Sequence, residues 1–130
     1  MTTRRTWCLA AAGWAAVIVV SGVAPTRDAV AAVSSGFDEL ATAAGHFAAY
    51  VVLGYLLSAA FESLTGRVRA AALTLALGAM LGGAIELVQA PLPYRDAQLS
   101  DFVVDAAGVA VGIAVFTCAG LARRRRPRPG

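Results

Sequence analysis

Four long apolar runs dominate the chain, at residues 7–24 (WCLAAAGWAAVIVVSGVA), 43–61, 68–90 and 102–122. Each is close to the roughly 20 residues that a helix needs to cross about 30 Å of hydrocarbon. In lipid every backbone amide needs an internal partner, and runs of this length are too long for barrel strands. The expected fold is therefore an all-α integral membrane protein: four transmembrane helices in an antiparallel bundle with short loops. Composition agrees, since 58% hydrophobic and 15% charged residues leave too little polar surface to cover a soluble globule of 130 residues. The whole chain reads as one membrane domain, with residues 123–130 as a disordered basic tail.

Orientation follows from arginine, because the sequence contains no lysine. Arg4, Arg5, Arg67, Arg69, Arg123, Arg124, Arg125, Arg126 and Arg128 fall on one side of the expected spans, and only Arg27 and Arg95 on the other. This bias predicts that both termini are cytoplasmic. The closing RRRRPRPG has the composition of a nucleic-acid arm, but beside a membrane exit it reads as a tail held against anionic headgroups. No nucleic-acid partner is expected. The first run has a second reading, as a secretory signal with a small-residue region around Ala29 to Ala32. Its length favours a retained helix over the shorter apolar core of a signal. Alanine, glycine and arginine in abundance without lysine point to a GC-rich prokaryotic genome, and so to a multi-pass protein of the plasma membrane.

The familiar soluble chemistries leave no trace. There is no glycine-rich phosphate loop, no Gly-x-Ser-x-Gly elbow and no metal-type cysteine spacing. Cys8 and Cys118 read as small buried apolar groups near the cytoplasmic helix ends.

The polar residues inside the spans form a pattern. His46, the only histidine, is followed at steps of four by Tyr50, Gly54 and Ser58. The third run gives Gly78, Gly82 and Glu86, with Gln89 one turn on, and the fourth gives Asp101, Asp105, Gly108 and Gly112. Residues four apart share a helix face. Small residues on such a face let membrane helices approach, and an ionised carboxylate facing lipid would cost on the order of 3 kcal/mol. Both arguments turn the polar stripes inward, at the outer end of the bundle and beside the loop that carries Arg95. The remaining acids, Asp28, Asp38, Glu39, Glu62 and Asp96, read as solvated charges.

Two functional classes fit. In the first, the cluster is an outward-facing pocket that binds or modifies a lipid headgroup or envelope precursor. Arg95 would clamp a phosphate or carboxylate, His46 would serve as general base, and Glu86 or Asp101 would orient it or act as acid. Tyr50, Gln89 and Asp105 would complete the ligand contacts. No cofactor is expected, although three carboxylates and a histidine are also the donors a divalent cation takes. In the second class the protein is non-catalytic: pairs such as His46 with Glu86 and Arg95 with Asp101 fix the helix arrangement, and it acts through a partner or a homo-oligomer. Transport is the weakest reading, because the stripes turn apolar past Gly54, Gly78 and Gly112 apart from Ser58 and Thr117.

The order His-Phe-x-x-Tyr at 46–50, Glu-x-x-Gln at 86–89, Arg95, then Asp101-x-x-x-Asp105-x-x-Gly108-x-x-x-Gly112 resembles the VanZ-like family over about residues 42–113. That family is named for a membrane protein linked to resistance to the glycopeptide teicoplanin. The resemblance implies a place in the cell envelope and a link to glycopeptide resistance, and no particular reaction. Two positions depart from the family pattern. An Asp-Lys pair usually precedes the histidine where Thr42 and Ala43 stand here, and Asp105 replaces an asparagine. Losing a lysine while gaining a carboxylate makes the cluster more acidic than the family pattern.

Overall fold

A computed structural model of the chain describes residues 2–23, 36–92 and 99–125. They form four helices, α1 (Thr2–Val23), α2 (Gly36–Thr65), α3 (Arg67–Gln89) and α4 (Leu99–Arg125), with no strand among the described residues. All four are long and apolar enough to cross a membrane, with spans at Thr3–Val23, Ala43–Thr65, Arg67–Gln89 and Ser100–Arg124. The protein is a multi-pass membrane protein. Most helices extend beyond the apolar runs, because helical hydrogen bonding continues after the need for apolar side chains ends. The 30 residues of α2 cover about 45 Å, well beyond the hydrocarbon thickness. At the other end, α4 continues through Arg125, so the first three residues of the expected disordered tail are helical. Arginine is a good helix former, and its charge suits a helix C-terminus.

A single residue, Gly66, separates α2 from α3. Its φ of 78° lies where side chains are strained, so only glycine turns the chain this tightly at no cost. The turn stacks α2 antiparallel on α3, and α4 packs into the crease between them. Val109 of α4 is fully buried there, against Gly54 and Gly78, which are equidistant from Gly66 in sequence. A methyl group added at Gly78 would meet Val109 Cγ2 at 2.5 Å, and one at Gly54 would meet the Val109 carbonyl oxygen at 2.5 Å. The small-residue stripes are therefore the helix-contact faces. The α2–α4 seam is the most extensive in the bundle.

The first helix packs differently. It contacts α2 and α3 but not α4. Trp14 Nε1–H donates to the Ala49 carbonyl at 2.8 Å, Gln89 Nε2–H donates to the Gly22 carbonyl at 2.7 Å, and Ile18 joins the core cluster. Trp7, Tyr55 and Phe116 follow one another edge to face toward the end that holds the α2–α3 turn.

Two readings need correction. Cys8 and Cys118 are exposed on the outside of the bundle rather than buried in it. A thiol is apolar enough to face lipid, so burial is not required of it. Glu62 is not simply solvated: Arg67 Nε–H donates to its carboxylate at 3.1 Å across the turn, both side chains being about one-third exposed.

Candidate functional site

The polar stripes of α2 and α4 meet at the end of the bundle away from the α2–α3 turn. His46 and Tyr50 lie about 5 and 10 Å inside the start of the α2 span at Ala43, and Asp105 lies at a matching depth on α4. Their level is set by the glycine contacts one turn deeper, where Val109 seats between α2 and α3. With that register fixed, Asp105 is carried to His46.

His46 Nδ1 stands 3.3 Å from Asp105 Oδ1, and the two side chains are 23% and 3% exposed. An ionised carboxylate can only accept, so Nδ1–H donates and Nε2 is left to act as acceptor or base. Beside the pair, the hydroxyl of Tyr50 is buried next to the Asp105 carboxylate without closing a short hydrogen bond. A buried hydroxyl in a membrane interior normally finds a partner, and Asp105 is the one at hand. Gly82 of α3 supplies the space beside it. A methyl group there would come within 3.0 Å of Asp105 Oδ2 and 3.4 Å of the Tyr50 oxygen.

His46, Tyr50 and Asp105 line one wall of a cavity of about 260 Å³. Its other walls are mainly apolar: Trp14, Val17 and Ile18 from α1, Ala49 from α2 and Ile85 from α3, with Ser21 of α1 as the polar exception. Among the described residues, no arginine lines it.

The other expected site residues are distributed more widely. Glu86 lines a separate groove between α3 and α4, with Met80, Leu87 and Phe102. Gln89 is buried, its amide engaged by the Gly22 carbonyl. Asp101 lies in the first turn of α4, where a carboxylate suits the helix dipole, one turn from Asp105. Arg95, and with it the Arg95–Asp101 pairing, lies outside the described residues. The partner of His46 in the structure is Asp105, not the Glu86 expected for a packing pair, because α4 wedges between α2 and α3 at this level. Among the described residues, no three His, Cys, Asp or Glu side chains converge to hold a metal ion.

Sequence reasoning placed nothing from the first helix in the cluster, yet Trp14, Ile18 and Ser21 all line the cavity. The available signal was the indole N–H of Trp14 in mid-span, a donor that needs a partner in lipid.

Fold and cluster together define a four-helix membrane protein that carries a histidine–carboxylate pair and an apolar cavity at one end of the bundle. The chain belongs to the VanZ/LLP1 family, whose model matches residues 9–121 and so spans parts of all four helices. No curated protein and no solved structure matches it.

Proposed function

We propose that the cavity beside His46 and Asp105 is an outward-facing site that binds, and through His46 can act on, the polar head of an envelope lipid or envelope precursor. The observation that carries the reading is the coincidence of three features: a carboxylate-paired histidine, a buried tyrosine hydroxyl beside the same carboxylate, and an accessible cavity touching all three residues. A packing role alone would account for the pair and the tyrosine but leaves the cavity unused. Asp105 holds the imidazole in one orientation and so aims Nε2, the arrangement in which a histidine serves as general base. Asp101 and Glu86 add negative field around the pair, and Arg95, which lies between α3 and α4 in the sequence, is proposed as a further headgroup contact. The arginine bias supports the outward orientation, with the opposite end resting on anionic headgroups of the cytoplasmic leaflet. Family membership supports an envelope role; glycopeptide resistance is a property of the family's namesake.

The test places single cysteines at positions 21, 46 and 86 in a background with Cys8 and Cys118 replaced, then applies a membrane-impermeant thiol reagent to intact cells. Labelling from outside at 21 and 46, reduced together by an envelope lipid extract while 86 is unaffected, is the expected result. If position 46 labels only after the cells are opened, or no extract protects it, the reading is overturned and the cluster serves to fix helix packing.

A further inference from the structure

Three of the residues that line the cavity are exposed. Its rim is formed by Val17, which is 51% exposed, together with the exposed Ser21 and Gly45. Val17 lies about 9 Å inside the end of the α1 span at Val23, so the exposed part of the lining reaches well below the bundle's end, to the depth expected of hydrocarbon. It lies between two tethers. Trp14 holds α1 to α2 below it, and Gln89 holds α1 to α3 above it. The helix that forms the outer wall is the one that does not touch α4.

The contents of the cavity follow from its walls. Trp14, Ile18 and Ile85 offer nothing to a polar group and suit an alkyl chain. At about 260 Å³ the volume falls just below the roughly 300–1,000 Å³ of small-molecule pockets, which suits one chain with a small head rather than a whole diacyl lipid. At the polar wall, Asp105 is an acceptor that His46 serves at Oδ1, and the Tyr50 hydroxyl both donates and accepts. A head bearing O–H or N–H matches both: it donates to the carboxylate and pairs with the tyrosine oxygen. A phosphate or carboxylate head would place a second anion directly beside Asp105 at low dielectric.

We propose that the cavity admits its ligand laterally from the bilayer, between α1 and α2, and that the ligand is an amphiphile whose buried head is a hydrogen-bond donor, an alcohol or a primary amine. This rests on the reading of the cavity as a ligand site. Trp14 reports on occupancy directly, since the sequence has only one other tryptophan, Trp7.

The experiment uses the full chain with Trp7→Phe in phosphatidylcholine vesicles. Trp14 fluorescence is titrated with bromine-labelled dodecylamine, dodecanol and dodecyl phosphate. Saturable quenching by the amine and the alcohol, at concentrations about ten-fold below any effect of the phosphate, is expected. Ile18→Phe, which fills the cavity, should abolish saturation for all three, and Asp105→Asn should weaken the amine about ten-fold while changing the alcohol less. If the phosphate saturates as well as or better than the amine, the donor-head assignment is overturned while the cavity remains a ligand site. Quenching that rises linearly with every probe and ignores Ile18→Phe would overturn both this inference and the binding function on which it rests. The three-probe comparison needs neither variant to fold.

Discussion

The two seams of this bundle are built on opposite principles. Along α2–α4, backbone meets backbone: a methyl group at Gly108 would come within 2.7 Å of the Phe47 carbonyl, and one at Gly112 within 2.8 Å of the Tyr55 nitrogen and closer still to the Val51 carbonyl. Along α1, contact is made by side chains, an indole, an isoleucine and an amide arriving from α3, and Gly13 has open space around it. Lipid supplies no hydrophobic drive between helices, so close approach and interhelical hydrogen bonds must do the holding. The tight seam uses the first and leaves only a cavity of about 10 Å³. The loose seam uses the second and leaves a cavity. The His46–Asp105 pair crosses the tight seam, where its geometry is held, and faces the loose one, where there is room for a ligand.

Glycine substitutions separate the seams most strongly. Gly112→Ala forces two backbones apart and should cost about 1–3 kcal/mol, as overpacking does. Gly13→Ala meets nothing and should be neutral or slightly stabilising through helix propensity. Unfolding by a denaturing detergent measures both, and equal costs would erase the contrast. Next comes the pair itself. Asp105→Ala leaves the imidazole N–H without its acceptor and should cost about 1–2 kcal/mol. Asp105→Asn keeps an acceptor, removes a buried charge and should leave stability unchanged or raised. A large loss with asparagine would show that the charge itself holds the seam.

The tethers of α1 are smaller effects. Gln89→Leu and Trp14→Phe each remove one interhelical hydrogen bond, worth about 0.6 kcal/mol. Global stability should hardly move, whereas a cysteine at position 21 should label faster as α1 loosens. Unchanged labelling would mean that α1 is held mainly by the packing of Ile18 and Ala11, both buried.

Most of the fold was legible because lipid imposes a simple demand: four apolar runs of sufficient length must be helices. Stripes four residues apart also gave most of the contact faces, as the burial of Tyr50, Gly54 and Ser58 on α2 and of Gly78, Gly82 and Gln89 on α3 shows, whereas Glu86 on the same α3 stripe lines a separate groove. Helix ends were less legible, since Gly36 to Thr42 continue α2 without being apolar. Pairing across helices was not legible at all. His46 and Glu86 are equidistant from the Gly66 turn and would face each other in an isolated hairpin. The intrusion of α4, anchored by Val109 one turn deeper, is a three-body effect that no single-helix pattern encodes. The part played by α1 was hidden for a related reason: its cavity face is apolar apart from Ser21 and the Trp14 nitrogen, and resembles any lipid-facing helix.

Glu86 gives the finest test of how the two sides of the bundle divide the work. Glu86→Gln preserves shape and hydrogen-bonding capacity while removing one charge, in a groove separate from the cavity that Asp105 lines. Its effect on stability should stay below about 0.5 kcal/mol, within the usual range of substitutions away from packed features. Its effect on amine binding should be smaller than that of Asp105→Asn, because field from a neighbouring groove is weaker than a direct hydrogen bond. Titrating Trp14 quenching in both variants compares the two on one scale. If Glu86→Gln weakens the amine as much as Asp105→Asn does, the two carboxylates act together. The head would then reach across α3 toward the groove, and the cavity beside His46 would be only the entrance to a larger site.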